Sequence, residues 1–235
     1  MIKKAMVLAA GFGKRLHPLT VNCPKPLLKI GNETLLSNTL KFLKSSGIED
    51  VVINVHYLEN QITDYIKKNK FDLNINLVSE KEKILDTGGG VLNAIKYFSN
   101  QSFLIINPDT IWNSSYLNEL KKMQESINKN EKNKCCILIV KKQKSFDKSF
   151  AGDFSLNNNL ITRENKKNLD YIYTGLQIIK SDVFQEFSEQ VFSMNKIWDK
   201  LIEEGSLLGV ESNNIFFHVS TLNIYKDLLK KLNIN

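Results

Sequence analysis

The residues with the clearest chemical potential lie together near the start of the chain, in the stretch AAGFGKRLHPLTVNCPKPLLKI from Ala9 to Ile30. Gly11 and Gly13 can take backbone conformations closed to other residues and let the main chain approach a ligand closely. Successive N–H groups in such a loop form a concavity that attracts anions. Lys14 and Arg15 add full positive charges, and Lys25 is set between Pro24 and Pro26, which restrict its backbone. Of the 32 basic residues only Arg15 and Arg163 are arginines. An arginine kept inside the glycine loop suits the forked donors that phosphate oxygens demand. The pattern fits a polyphosphate, although a turn that binds nothing would draw on the same residue types. A dinucleotide fingerprint is excluded because Leu16 stands where its third glycine belongs, and the P-loop spacing is absent.

Two further loops carry chemistry. In Asp86-Thr87-Gly88-Gly89-Gly90 the glycines lead into a helix. They point either to a bare helix N-terminus that meets ligand oxygens or to tight helix–sheet packing. In Ile105-Ile106-Asn107-Pro108-Asp109 a carboxylate directly follows a buried strand. Asp109 could hold Mg²⁺, which favours one or two carboxylates plus phosphates and water, or it could serve as a turn or cap residue.

Strand-length apolar runs alternate with segments of helical period. Strands are expected at 5–9, 51–55, 75–78, 103–106, 135–140 and 171–179, with two late ones at 207–211 and 215–219. Helices are expected at 33–46, stopped by Gly47, at 58–68, from the three glycines to Phe98, and at 116–127. Shorter ones are expected near 182–187 and 196–204, and a last one at 222–232 capped by Ser220 or Thr221. Residues 141–170 lack long apolar runs and predict a hairpin-rich excursion with turns at Gly152 and Asn157-Asn158-Asn159. The alternation predicts an α/β fold whose mostly parallel sheet is covered on both faces, with ligands at the carboxyl ends of its strands.

The 235 residues fit one such domain, 1–235, with no internal repeat or linker. No apolar run approaches the roughly 20 residues of a membrane span. The N-terminus has no signal-peptide core, and a cytoplasmic location is expected. Cys23, Cys135 and Cys136 lack metal-ligand spacing. The net charge of +7 fits a lysine-rich surface or an anionic partner. Acidic groups at the presumed crevice, and the lack of interleaved aromatic and basic residues, weigh against nucleic acid.

Taken together, these residues resemble the sugar-1-phosphate nucleotidyltransferases. That family opens with L-A-A-G-x-G-x-R-L-x-P-L-T and continues to P-K-P-L, matched here from Leu8 to Thr20 and from Pro24 to Leu27. Val52-Ile53-Asn54, Thr87 to Gly90, Gly152-Asp153-Phe154, Tyr173-Thr174-Gly175 and Val219 to Leu222 are similar to the branch that includes N-acetylmuramate-1-phosphate uridylyltransferase. The resemblance implies a single Rossmann-like, GT-A-like three-layer domain with a mixed, predominantly parallel sheet. It also implies transfer of a nucleotidyl group, best from UTP, to a sugar 1-phosphate, best N-acetylmuramate 1-phosphate, with release of pyrophosphate. Arg15, Lys25 and Asp109 are then the catalytic residues. Leu8, Ala9, Ala10, Gly11, Gly13, Lys14, Arg15, Lys25, Asn54 and Gly88 would hold the nucleotide. Asp86, Thr87, Asn107, Gly152, Glu164, Gly175 and Asn195 would face the sugar, with the 141–170 excursion on the sugar side.

Mg²⁺ is implied as cofactor, with Mn²⁺ as an alternative, held by Asp109. Three positions depart from the family pattern. Pro108 and Ser220 replace glycines, and His218 stands where relatives carry a second metal-binding aspartate. His218 is then either a ligand for a softer ion or an ordinary histidine. Guanylyl transfer to mannose or heptose 1-phosphate, or cytidylyl transfer to phosphocholine, are the alternatives of the same class. A weakened nucleotide-sugar-binding regulator is the alternative of another class. The sequence fixes no oligomeric state.

Overall fold

In the computed structural model, the described residues are 1–163 and 169–232. The chain opens with β1 (Lys4–Leu8), followed by the glycine loop. A small hairpin of β2 (Lys29–Ile30) and β3 (Glu33–Thr34) leads to α1 (Leu35–Ser45). Then come β4 (Asp50–Val55), α2 (Glu59–Lys68), β5 (Asn74–Ser79), α3 (Asp86–Ala94), β6 (Ser102–Ile106), α4 (Tyr116–Asn128) and β7 (Cys135–Lys141). The chain continues through β8 (Ser155–Asn157), β9 (Leu160–Thr162), β10 (Tyr171–Lys180), α5 (Met194–Glu203), β11 (Leu207–Ser212) and α6 (Leu222–Lys231).

Nine strands form one sheet in the order β5-β4-β1-β6-β10-β7-β11-β9-β8. Seven run the same way, and only β9 and β10 oppose them. Alternation along each strand explains the layers, because successive side chains point to opposite faces. Ala5, Val7, Val51, Ile53, Leu104 and Ile106 face one apolar cluster with Leu36, Leu40 and Leu43 of α1, Ile62 of α2, and Leu120 and Met123 of α4. Met6, Val52, Phe103, Ile105 and Ile137 face the other, with Val91 and Ala94 of α3 and Ile197, Trp198 and Leu201 of α5. Thr34 caps α1 by accepting the Ser37 N–H at 3.0 Å, and Thr221 accepts the Ile224 N–H to cap α6.

The expected helices and strands recur with shifted ends, apart from three corrections. The segment 215–219 is not a strand. Phe216 bridges Ser145 and His218 bridges Thr110, so it crosses two different loops instead of running beside one strand. The glycines of 88–90 lie inside α3, which starts at Asp86. Residues 181–186 form a 3₁₀ helix. Among the described residues, the excursion after β7 holds one hairpin, β8–β9, which extends the same sheet. Asn158 and Asn159 both have positive φ, 47° and 66°, the conformation of a tight two-residue hairpin turn.

The strand order places the site. β1 is followed by β4 on one side, whereas β6 pairs on the other. Loops leaving β1 and β6 at their carboxyl ends therefore diverge and leave a crevice between them.

Candidate active site

At that crevice lies a cavity of about 430 Å³. The loop after β1 forms much of it. Gly13 sits at φ 64°, where a side chain would be strained. A Cβ there would also lie 3.1 Å from both Lys25 Cβ and Thr20 Cγ2. The buried Thr20 hydroxyl donates to the Gly13 carbonyl at 2.9 Å and closes the loop. Lys14–Leu16 then make one 3₁₀ turn that buries Leu16, while Lys14 and Arg15 line the cavity. A second 3₁₀ turn, Lys25–Leu27, with Pro26 in its first turn, brings Lys25 to the same cavity. Leu8, Ala9, Ala10, Gly11 and Asn54 also line it.

From the other side of the crevice come Asn107, Pro108 and Asp109. Lys25 Nζ lies 2.5 Å from Asp109 Oδ2, and His218 Nε2 lies 3.1 Å from the same oxygen. Burial opposes ionisation of Asp109. The neighbouring His218 and Lys25, through charge and hydrogen bonds, outweigh it and hold the carboxyl well below the usual carboxylate range. The backbone is equally fixed, since Asp109 O accepts the Val219 N–H at 2.8 Å and the Thr110 hydroxyl donates to Thr174 O at 2.7 Å.

Asp109 Oδ1 is buried and has no hydrogen-bond partner among the described residues. Asp109 lines the cavity beside cationic and backbone donors, and a carboxylate with one oxygen left unpartnered fits Mg²⁺, which completes its shell with water and substrate oxygens. Among the described residues no cluster of three or more His, Cys, Asp or Glu side chains is assembled to hold a metal alone. His218 turns its Nε2 to Asp109 and stacks its ring on Phe216 at 5.5 Å. Ser220 lines the cavity but turns its hydroxyl to the Asp147 carboxylate, 2.5 Å away.

The other expected positions divide. Asp86 and Thr87 line the cavity. Gly88 does not: its N–H and that of Gly89 both donate to Phe192 O, at 2.9 and 3.0 Å. A Cβ at Gly88 would lie 2.4 Å from the Phe192 ring, so this glycine serves packing, and its N–H is not free for a ligand. Gly175 is off the cavity but shapes it. A Cβ there would lie 2.9 Å from Asn107 Cβ, and Gly175 O accepts the Asn107 N–H at 2.8 Å. Gly152, at φ 95°, turns the chain ahead of β8 and does not line the cavity. Asn195 Oδ1 accepts from Arg163 at 2.6 Å, and Arg163 also pairs with Asp199 and lies over the Phe154 ring. That arginine is thus a brace between the hairpin and α5. Glu164 lies outside the described residues. Glu80, directly after β5, lines the cavity and was not singled out from sequence. Its signal was its place, an acid one residue past a strand that ends at the same edge as β1 and β6.

Residues 4–150 match the family model described as nucleotidyl transferase. The chain belongs to the nucleotidyl transferase family. It is an enzyme of the nucleotidyltransferase type. Over 222 residues it is 26% identical to N-acetylmuramate alpha-1-phosphate uridylyltransferase from Caulobacter vibrioides, covering 92% of this chain and 91% of that one. Over 189 residues it is 29% identical to D-glycero-alpha-D-manno-heptose 1-phosphate guanylyltransferase from Campylobacter jejuni, covering 80% of each. Among solved structures, HddC from Yersinia pseudotuberculosis complexed with GMP-PN superposes with a TM-score of 0.76 at 18% identity. That match covers 98% of this chain and 100% of the other, and it shows a shared fold.

Proposed function

We propose that this nucleotidyltransferase moves a uridylyl group from UTP to a sugar 1-phosphate, N-acetylmuramate 1-phosphate in the first instance, and releases pyrophosphate. One observation carries the reading: Gly11, Arg15, Lys25 and Asp109 share a single cavity at the strand ends. The Caulobacter relative, alike over nearly the whole chain, supports the choice of base and sugar.

The charge pattern yields a mechanism. A sugar-phosphate oxygen attacks the α-phosphorus, a new P–O bond forms, and the bond to the β-phosphate oxygen breaks as pyrophosphate leaves with the electron pair. Two anions must meet, so the chain's work is positioning and charge stabilisation. Backbone N–H groups of 11–13, with Lys14 and Arg15, hold the triphosphate. Without substrate, Lys25 and Asp109 neutralise one another. With substrate, Lys25 turns to the phosphate oxygens at the reacting centre, where negative charge builds up. Asp109, released from Lys25 and steadied by His218, is free to hold Mg²⁺ through its carboxylate. When bound, that ion would neutralise phosphate charge. Asp86, Thr87 and Asn107 face the sugar phosphate.

A second reading, guanylyl transfer to heptose 1-phosphate, is favoured by the Campylobacter relative. Incubation with each of four triphosphates against N-acetylmuramate, heptose and mannose 1-phosphates, with pyrophosphate measured, separates the two. Pyrophosphate from UTP with N-acetylmuramate 1-phosphate is expected, and release only from GTP would overturn the first reading. Tight binding with no release in Mg²⁺ or Mn²⁺ would point to a regulator.

A further inference from the structure

A buried polar bridge at the cavity wall joins Asn54, expected from sequence to hold the nucleotide, to Glu80, which has no role above. Asn54, one residue from the end of β4, and Glu80, just past β5, are each 3% exposed. Asn54 Oδ1 accepts the Ala9 N–H at 2.8 Å, and its Nδ2 donates to Glu80 Oε1 at 2.7 Å. Glu80 Oε2 accepts the Leu85 N–H at 2.8 Å. The bridge therefore runs from the first residue of the glycine loop to the residue before α3. Both of its ends are backbone donors. Such a chain closes only when one of the two side chains is purely an acceptor and the other offers one acceptor and one donor. A glutamate–asparagine pair meets that condition, whereas two amides or two ionised carboxylates do not. Room for it is provided by Gly90, where a Cβ would lie 2.7 Å from both Asn54 Nδ2 and Glu80 Oε1.

We propose that Asn54 and Glu80 are positioning residues for the nucleotide, tying the loop after β1 to the 84–87 segment at one fixed separation. This rests on reading the cavity as the triphosphate site. Ala9 and Ala10 at one end of the bridge, and Ile84, Asp86 and Thr87 at the other, all line that cavity. Each of the four side-chain polar atoms already has a protein partner, so the pair acts through the two loops rather than on the ligand directly. The spacing it sets governs triphosphate affinity more than turnover.

The test is a reversal of polarity. Glu80→Gln puts a donor against a donor somewhere along the chain, and Asn54→Asp puts two carboxylates face to face. Each single change should raise the KM for UTP roughly tenfold or more, by leaving buried polar groups unmet. The KM for N-acetylmuramate 1-phosphate and kcat should move much less. The double variant remakes all three bonds with the donor on the other side chain, and its KM for UTP should return to within about threefold of the parent. Thermal midpoints are measured for all four proteins. Unchanged KM in the folded single variants overturns the proposal. So does a folded double variant whose KM stays raised, or losses confined to kcat and thermal midpoint, which mark a merely structural pair. Should the single variants fail to fold, the KM of the double variant decides alone. A parent that turns over no triphosphate at all defeats the underlying reading and the bridge's role with it; the other failures defeat the bridge only.

Discussion

Lys25 and Asp109 are the pair on which turnover should depend most. The Lys25 ammonium is half of a close ion pair at rest and, on the proposed mechanism, a phosphate ligand in the transition state. Lys25→Ala should therefore lower kcat roughly a hundred- to a thousandfold, with a smaller change in the KM for triphosphate, as read from pyrophosphate release. Parental turnover would remove Lys25 from the mechanism. Arg15 lines the triphosphate end, so Arg15→Ala should instead raise that KM about tenfold with less effect on kcat. Asp109 also predicts a pH effect on stability. Its carboxyl is held below its ordinary range in the folded protein. The stability this contributes is complete above the unfolded value, about 3.9, and is lost as pH falls below it. In Asp109→Asn the thermal midpoint should then fall less steeply than in the parent between about pH 5 and 3, followed by calorimetry. Identical slopes would mean that the pair with Lys25 and His218 does not persist in solution.

The elements show which parts of the site can be read in a sequence. The loop from Ala9 to Leu27 was legible because its whole requirement, bare backbone plus fixed cations, is written in consecutive residues. The glycines of α3 were legible as unusual but not as to purpose. Ligand contact and close packing ask for the same residue, and the deciding neighbours, Gln190 and Phe192, lie a hundred positions away. Likewise, 215–219 has the alternation of a strand, yet its partners are two separate loops. Glu80 needed the sheet order before its nearness to Asn54 could be seen. Two glycines separate the purposes experimentally. A Cβ at Gly89 would lie 2.1 Å from the Gln190 carbonyl oxygen, a backbone atom, whereas one at Gly11 meets nothing within 4 Å. Gly89→Ala should cost about 1–3 kcal/mol and lower the thermal midpoint roughly 2–4 °C per kcal/mol. Gly11→Ala should leave the midpoint unchanged and raise the KM for triphosphate. The reverse pattern would mean that α3, not the first loop, carries the ligand contacts.

At the scale of the molecule, the cavity exists only when the sheet is complete. Its lining runs from Leu8 to Ser220 and draws on the loops after β1, β5 and β6, on Asn54 of β4, and on the approach to α6. The long-range ties that close it, Thr110 to Thr174 and Asp109 to Val219, join distant parts of the chain. An unfolded chain has no such site, so a nucleoside triphosphate binds the native state alone and stabilises all of it. At a hundred times its dissociation constant the ligand should add about 2.7 kcal/mol. For a chain of this size that is a rise of roughly 5–10 °C in the thermal midpoint. The transition should move as one, because the site has no part that survives without the sheet. Scanning calorimetry with UTP, GTP, CTP and ATP in turn should rank the bases by the size of the shift, with UTP first. A transition that split, with one half insensitive to ligand, would place the cavity on a separately folding part of the chain. No shift with any triphosphate at millimolar concentration would remove the nucleotide from this cavity altogether.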